Sequence, residues 1–417
     1  MISRIEVLNY RCLRYVSADL ATFQVLVGPN GSGKTTLLDV LLFLRDLITA
    51  GLDAALEERS RDPLDLVWAR RPGVVEIAIE AEIPEELRGK LSRPEFRRIR
   101  YEVGVSVQKD ATEITEERAL LTKAEPPPVI SQLTFPEVRL PPPTLLTKQA
   151  AARKRTIFSK KEGGNDYYYS EVHPTSGKGW IPAIRLGPKR STFANLLEDE
   201  TRFPVSTWLK GVLKQGVQRL VLNSAAMRQS SPPGQGRTFR PDGSNLPWVV
   251  AELGRRAPER LKQWLEHVRT AIPELVSIRV QEREDDRHAY LIAQFADGME
   301  VPSWGLSDGT LRLLALTLPA YVPATSGIYL VEEPENGVHP RALEAVFQSL
   351  SSVYTGQVLL ATHSPLFVAM AQPEQLLCFA RTREGSTDIV RGDRHPVLRD
   401  WRREVNLADL FASGVLG

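Results

Sequence analysis

The sequence predicts an α/β fold built on a mixed sheet, with an antiparallel β subdomain and an inserted middle region. Three observations predict it. Residues 23–27 are a short apolar run, residues 28–33 are glycine-rich, and residues 34–48 carry helical apolar spacing. Residues 75–83 alternate, with Val75, Ile77, Ile79, Ala81 and Ile83 on one face and Glu76, Glu80 and Glu82 on the other. Apolar strands return at 328–331 and 358–361, on either side of a helix at 340–350 that has proline at its start.

The first of these is a strand, a tight turn and a helix. The alternation at 75–83 recurs at Tyr101, Val103, Val105 and Val107, and it predicts an antiparallel sheet with one wet face. Residues 109–201 read differently. They hold two triple-proline runs, at 126–128 and 141–143, a basic cluster and a glycine-rich stretch. Proline removes backbone donors and stops regular structure, so an insertion or arm is expected here. The chain divides into 1–108, 109–201 and 202–417, with one α/β core split by the middle segment.

Composition narrows the class. The 417 residues are 42% hydrophobic and 25% charged, ordinary for a globular protein. A net charge of +2 announces no nucleic-acid binder, so any such role needs a local patch. Cys12 and Cys378 lie far apart and form no disulfide framework or metal spacing, which fits a reducing cytoplasm. No stretch reaches the roughly 18 apolar residues of a membrane span. A soluble, cytoplasmic chain is expected. The six histidines show no zinc spacing.

Four motifs carry chemistry. Gly28-Pro29-Asn30-Gly31-Ser32-Gly33-Lys34-Thr35 fits the phosphate-binding loop pattern between a strand and a helix. Its glycines let backbone N–H groups turn toward a phosphate, and the helix N-terminus adds a favourable dipole. Lys34 is expected to reach the β- and γ-phosphates of ATP, and the Thr35 hydroxyl to ligate Mg²⁺. The second motif, Glu332-Glu333-Pro334-Glu335, ends an apolar strand and so delivers carboxylates to the sheet edge where that loop lies. Glu332 is assigned to the Mg²⁺ shell and Glu333 to polarising the attacking water.

The third motif is Leu306-Ser307-Asp308-Gly309-Thr310. Ser307 alone reads as a helix cap. Beside a phosphate loop it reads as a second anion site, formed by the Ser307 hydroxyl and the Gly309 N–H and serving a partner subunit's nucleotide. The fourth is Ala361-Thr362-His363-Ser364, straight after an apolar strand. His363 is placed to sense the γ-phosphate or orient water.

In chain order, with Leu306-Ser307-Asp308-Gly309 between the phosphate loop and Glu332-Glu333-Pro334-Glu335 and with Thr362-His363-Ser364 last, the four motifs resemble the RecF/OLD-type ATPases of the ABC superclass. The resemblance covers about residues 1–85 and 205–417. It includes Asn9-Tyr10-Arg11-Cys12-Leu13, the segment Pro241-Asp242-Gly243-Ser244-Asn245-Leu246 and the tail 407–417. It implies a P-loop NTPase of the ABC head type, with heads paired head to tail. Residues 28–36, Thr36 included, would bind ATP in one head, and Ser307 and Gly309 of the other would close over it. Residues 335–339 would face the partner. Glu332 stands where aspartate is commoner, and no Q-loop glutamine can be placed, since Gln24 precedes the phosphate loop. Full-length OLD proteins continue into a Toprim nuclease, whereas this sequence has no such motif. A nucleotide-driven switch in anti-phage defence or DNA maintenance, acting on a separate Toprim-like nuclease effector, is therefore expected; the alternative is a stand-alone RecF-like repair ATPase that binds DNA. A transporter subunit is disfavoured by Leu306-Ser307-Asp308-Gly309-Thr310 in place of Leu-Ser-Gly-Gly-Gln.

For DNA, the sequence offers Lys148, Arg153, Lys154, Arg155, Lys160 and Lys161, followed by Tyr167, Tyr168 and Tyr169. Basic residues beside aromatics can track a phosphate backbone and stack bases. A second cluster is Arg93, Arg97, Arg98 and Arg100. Either can equally be a solvated loop.

Overall fold

A computed structural model describes residues 1–109, 111–123, 134–148, 154–173, 180–236, 238–323, 327–398 and 406–416, without the side chains of 180–183. Its strands form three sheets. The central one has six strands: β3 (Phe23–Val27), β10 (Val217–Leu220), β14 (Ile328–Glu332), β15 (Gln357–Ala361), β16 (Leu376–Arg381) and β17 (Thr387–Arg391). Their order is β10-β14-β15-β3-β16-β17. All pairs are parallel except β16–β17. β3 and β15 are buried along their whole length, as strands covered on both faces must be.

The second sheet is antiparallel and has eight strands. It joins β1 (Ile2–Tyr10), β2 (Leu13–Asp19), β4 (Gly73–Glu82), β5 (Arg98–Val107), β6 (Thr112–Thr122), β7 (Lys154–Lys161), β8 (Asp166–Tyr169) and β9 (Trp180–Ile184) in the order β2-β1-β4-β5-β6-β7-β8-β9. The helix Lys34–Thr49 is buried between this sheet and the central one. Its Leu37, Leu41, Phe43 and Leu44 share a core with Ile5, Ile77 and Tyr101 on one side and Leu26, Leu330 and Leu359 on the other. A helix with apolar residues nearly all round belongs in such a layer. The opposite face of the central sheet, with Val25, Val27, Val331 and Leu360, packs on the helices Leu246–Arg256, Pro258–Ala271, Asp308–Thr317 and Leu343–Ser351. A three-stranded sheet of β11 (Leu275–Glu282), β12 (Ala289–Phe295) and β13 (Glu300–Pro302) lies on that side too.

Two expectations change. The described parts of 109–201 do not stand off as an arm, because β6 to β9 continue the antiparallel sheet. Several of their charged residues are paired within the sheet, as in Arg118 with Glu116 at 2.6 Å and Lys160 with Asp166 at 3.2 Å. The fully buried Glu117 carboxylate accepts from Tyr101 Oη, Ser191 Oγ and the Thr192 N–H at 2.8, 2.7 and 2.6 Å, which pins the end of the segment to the sheet. The run 126–128 lies outside the described residues.

The outer face of the sheet is wet only in part, with Glu82 exposed and Glu76 and Glu102 covered. Residues 134–148, including Pro141, Pro142 and Pro143, strap across it. Thr144 Oγ1 donates to Glu76 at 2.9 Å, and the Thr147 N–H and Oγ1 donate to Glu102 at 2.8 and 2.7 Å. Carboxylates expected in solvent are instead acceptors for a segment that has no strand of its own to satisfy its donors. Among the described residues no helix is long and apolar enough to cross a membrane.

Candidate functional site

The C-terminal edge of the central sheet gathers three of the four motifs. β3 feeds the glycine-rich loop, β14 ends in Glu332, and β15 leads into Thr362 and His363. The adjacent registers fix their heights. Glu332 is opposite Ala361, the Glu333 N–H donates to Ala361 O at 2.8 Å, and the Thr362 N–H donates to Leu26 O at 3.2 Å. A pocket of about 170 Å³ opens there. It is lined by Asn30, Gly31, Ser32, Gly33, Lys34, Thr35, Thr36, Glu332, Glu333, Ala361 and His363.

The loop is shaped as a phosphate cradle. Gly28, Gly31 and Gly33 have φ of 145°, 73° and 105°. A Cβ on Gly28 would lie 2.2 Å from Phe379 O, and one on Gly33 would lie 2.5 Å from Thr387 Oγ1. Glycine is therefore required by both conformation and space. Thr387 Oγ1 donates to Ser32 O at 2.8 Å, so β17 holds the loop from below. Cys12, in the turn after β1, touches Thr36 at 3.4 Å. Ser32 Oγ is buried with no hydrogen-bond partner among the described residues.

Lys34 Nζ donates to Gly28 O at 2.7 Å and to Pro29 O at 3.0 Å. Burial lowers its pKa to about 8, against the opposing pull of Glu333 and Glu332. This has a measurable consequence. Below pH 8 Lys34 is already an ammonium. Above pH 8 the free protein has lost that proton and must regain it to meet phosphate charge. Nucleotide affinity is thus expected to be full below pH 8 and to fall by up to about tenfold per pH unit above it. Fluorescence titration with a nucleotide analogue from pH 7 to 10 checks this, and a flat affinity across that range would contradict it.

Thr35 Oγ1 donates to Glu332 Oε2 at 2.6 Å, and Arg219 Nε on β10 meets Glu332 Oε1 at 2.9 Å. Arg219 was not singled out in the sequence. The signal available for it was only that a short strand had to flank the acid-ending one. Glu333 has φ 47°, a left-handed conformation unusual for a side-chain-bearing residue, and Asn336 Nδ2 donates to its Oε2 at 2.5 Å. Glu335 Oε1 accepts from Thr362 Oγ1 at 2.7 Å and from the His363 N–H at 2.9 Å. His363 is held below its ordinary pKa by burial first and by Lys34 next, against the pull of Glu333 and Glu335, which favours the neutral imidazole.

Ser307 and Gly309 do not line this pocket. Ser307 caps the helix Asp308–Thr317, its Oγ accepting from the Thr310 N–H at 3.1 Å, and its side chain is exposed. Gly309 packs against the loop after β14, where a Cβ would lie 3.0 Å from Gly337 O. Gln24 is buried and bonded to Gln375 O at 2.7 Å, which removes it from any site role.

The basic cluster does not form one face. Arg153 lies outside the described residues. Lys160 is buried against Asp166 and donates to Gly187 O at 3.2 Å. Arg155 is committed to the carbonyls of Ser170, Glu171 and His173. Lys148 and Lys161 are exposed, Lys154 is half-buried and Tyr168 is buried. In the second cluster, Arg100 is enclosed by Glu6, Glu80 and Glu102.

Comparison with known proteins bears on this geometry. Residues 23–369 match the family described as "AAA domain, putative AbiEii toxin, Type IV TA system". The OLD nuclease of Thermus scotoductus is 31% identical over 97 residues, 23% of this chain and 17% of that protein. The match thus spans under a fifth of that relative's length. Among solved structures, the Smc head bound to the C-winged helix domain of ScpA gives a TM-score of 0.54 at 13% identity, covering 93% of this chain and 97% of that one. An Smc head with an extended coiled coil, bound to the C-terminal domain of ScpA derived from Pyrococcus furiosus, gives 0.51 at 13% identity, with 93% and 95% covered. At such identity the likeness establishes the fold, a P-loop NTPase head of the ABC type. ATPases of this type use ATP, typically with Mg²⁺. The residues present fit both: a cradle of glycines at positive φ, an orphaned Ser32 hydroxyl, and a hydroxyl–carboxylate pair of hard oxygen donors in Thr35 and Glu332.

Proposed function

This chain belongs to the family described as "AAA domain, putative AbiEii toxin, Type IV TA system", as an ABC-class ATPase of the SMC/OLD-like type, and we propose that it hydrolyses ATP in composite sites between two paired heads. One observation carries the pairing. The phosphate-loop pocket takes all its lining from residues 30–36, 332–333, 361 and 363, while the Ser307–Gly309 turn offers a helix N-terminus elsewhere. A second anion site with no nucleotide of its own suits a partner's nucleotide.

In this reading the loop amides and Lys34 bind the phosphates. Bound magnesium would neutralise charge on the phosphate oxygens, held by Thr35 and Glu332. Water attacks the γ-phosphorus, Glu333 takes its proton, and the bond to the ADP oxygen breaks. His363, fixed through its backbone by Glu335, orients the water or the γ-phosphate. Closure and reopening of the heads act as the switch. A separate nuclease is the effector we favour, in keeping with the nuclease relative, and anti-phage defence or DNA maintenance the setting. The stand-alone DNA-repair reading is weaker, because Arg155 and Lys160 are already engaged within the fold.

Ser307→Arg tests the arrangement. A single head should bind nucleotide as before, while turnover falls about 10²-fold or more, as when a transition-state donor is lost. Binding by equilibrium titration and turnover by phosphate release are read on the same sample. Loss of binding itself would place Ser307 in its own head's site and sink the composite arrangement.

A further inference from the structure

The Glu333 carboxylate is already engaged. Asn336, three residues on, donates its amide to Oε2, and the Asn336 N–H closes the turn on Glu333 O at 3.0 Å. The amide occupies an acceptor position on one of the two oxygen atoms that would have to face water, and so fixes the orientation of the carboxylate. The strained φ of Glu333 means that this turn, and not an intrinsic backbone preference, sets the aim of the side chain.

The same turn is tied to the helix that starts at Ser307. Arg312 Nη1 donates to Asn336 O at 3.2 Å. The Arg312 stem lies over Gly337, where a Cβ would sit 3.3 Å from its Cδ and Nε. Gly309 backs onto Gly337 O. The first turns of the helix Asp308–Thr317 and the loop 335–338 thus pack as one unit. One end of that unit is the exposed Ser307 turn, and the other end is bonded to Glu333 and, through Glu335, to His363. Neither Arg312 nor Asn336 lines the phosphate-loop pocket.

We infer that Asn336 is a positioning residue that latches Glu333 in a resting orientation, and that Arg312 carries engagement of the Ser307 turn by a partner head back to that latch. Docking of the helix N-terminus on a partner's nucleotide shifts the loop, breaks the Asn336–Glu333 bond and frees the carboxylate. The inference rests on the paired-head reading.

The test uses the full chain, with ATP turnover per head followed as protein concentration rises, together with nucleotide affinity. The wild type should turn over faster per head at higher concentration. Asn336→Ala should raise the low-concentration rate roughly fivefold or more, the lower end of usual coupling, and shrink its rise with concentration by the same factor, the rest of the rise being the partner's Ser307 turn. Affinity should stay unchanged. Arg312→Ala should act in the same direction, and Arg312→Lys should restore part of the dependence. A fall in the Asn336→Ala rate at every concentration would overturn the latch, since Asn336 would then be aiming Glu333 productively. A rate that climbs in parallel with the wild type would overturn it alone. A wild-type rate per head that ignores concentration would overturn the paired-head reading and this relay together.

Discussion

Glu333→Gln is expected to cut ATP turnover by about 10²–10⁴-fold, the usual contribution of a positioned general base, while leaving ATP binding intact. The substitution keeps size and shape and removes the ability to take a proton. The Asn336 amide can still donate to the Gln side-chain oxygen, so the turn at 333–336 should survive. Glu332, with Thr35 at 2.6 Å and Arg219 at 2.9 Å, is untouched, so the proposed metal ligands remain. Phosphate release at saturating ATP measures the first effect and equilibrium binding the second. Turnover within threefold of wild type would remove Glu333 from the chemistry.

Lys34→Ala should instead act on binding. Lys34 brings a charge to the phosphates, and charge-assisted hydrogen bonds of this kind contribute about 1.5–3 kcal/mol, or roughly 10- to 150-fold in affinity. The wild-type residue must first leave Gly28 O and Pro29 O, which it satisfies at 2.7 and 3.0 Å. Its net value is therefore expected toward the lower half of that range. The alanine variant should also lose the fall in affinity above pH 8, because the titrating group is gone. A variant that binds as tightly as wild type at pH 7.5 would show that Lys34 only braces the loop.

Much of this site was legible in the sequence because it is made of short, fixed spacings. The glycine pattern at 28–33 needs positive φ at Gly28, Gly31 and Gly33, and the structure has it at each. An apolar strand ending in Glu332 had to deliver acids to the loop's edge of the sheet, and the register of β14 against β15 does so. What the sequence hid depends on distant pairing. Thr387 supports Ser32 across 355 positions, and Arg219 reaches Glu332 only because β10 lies beside β14. Nothing local in the sequence marks Asn336, whose amide reaches the Glu333 carboxylate only through the turn after β14.

The strands of the middle segment are hidden in the sequence for a different reason. In Lys154–Lys161 the apolar residues Ile157 and Phe158 are flanked by six polar or charged ones, which suggests a loop. The strand forms because its partners neutralise those charges, with Asp166 on β8 answering Lys160. Likewise the carboxylates of β4 and β5 looked solvent-facing because nothing local marks 134–148 as their cover. Only the donors of Thr144 and Thr147, meeting Glu76 and Glu102, reveal that role.

Pairing of heads by nucleotide is the feature on which the switch depends. The measurement is the molar mass of the Glu333→Gln protein in solution, with and without Mg-ATP, alone and combined with Ser307→Arg. The mass should double with Mg-ATP, and the added Ser307→Arg should prevent the doubling. A mass that remains that of one chain when ATP is demonstrably bound would contradict the account.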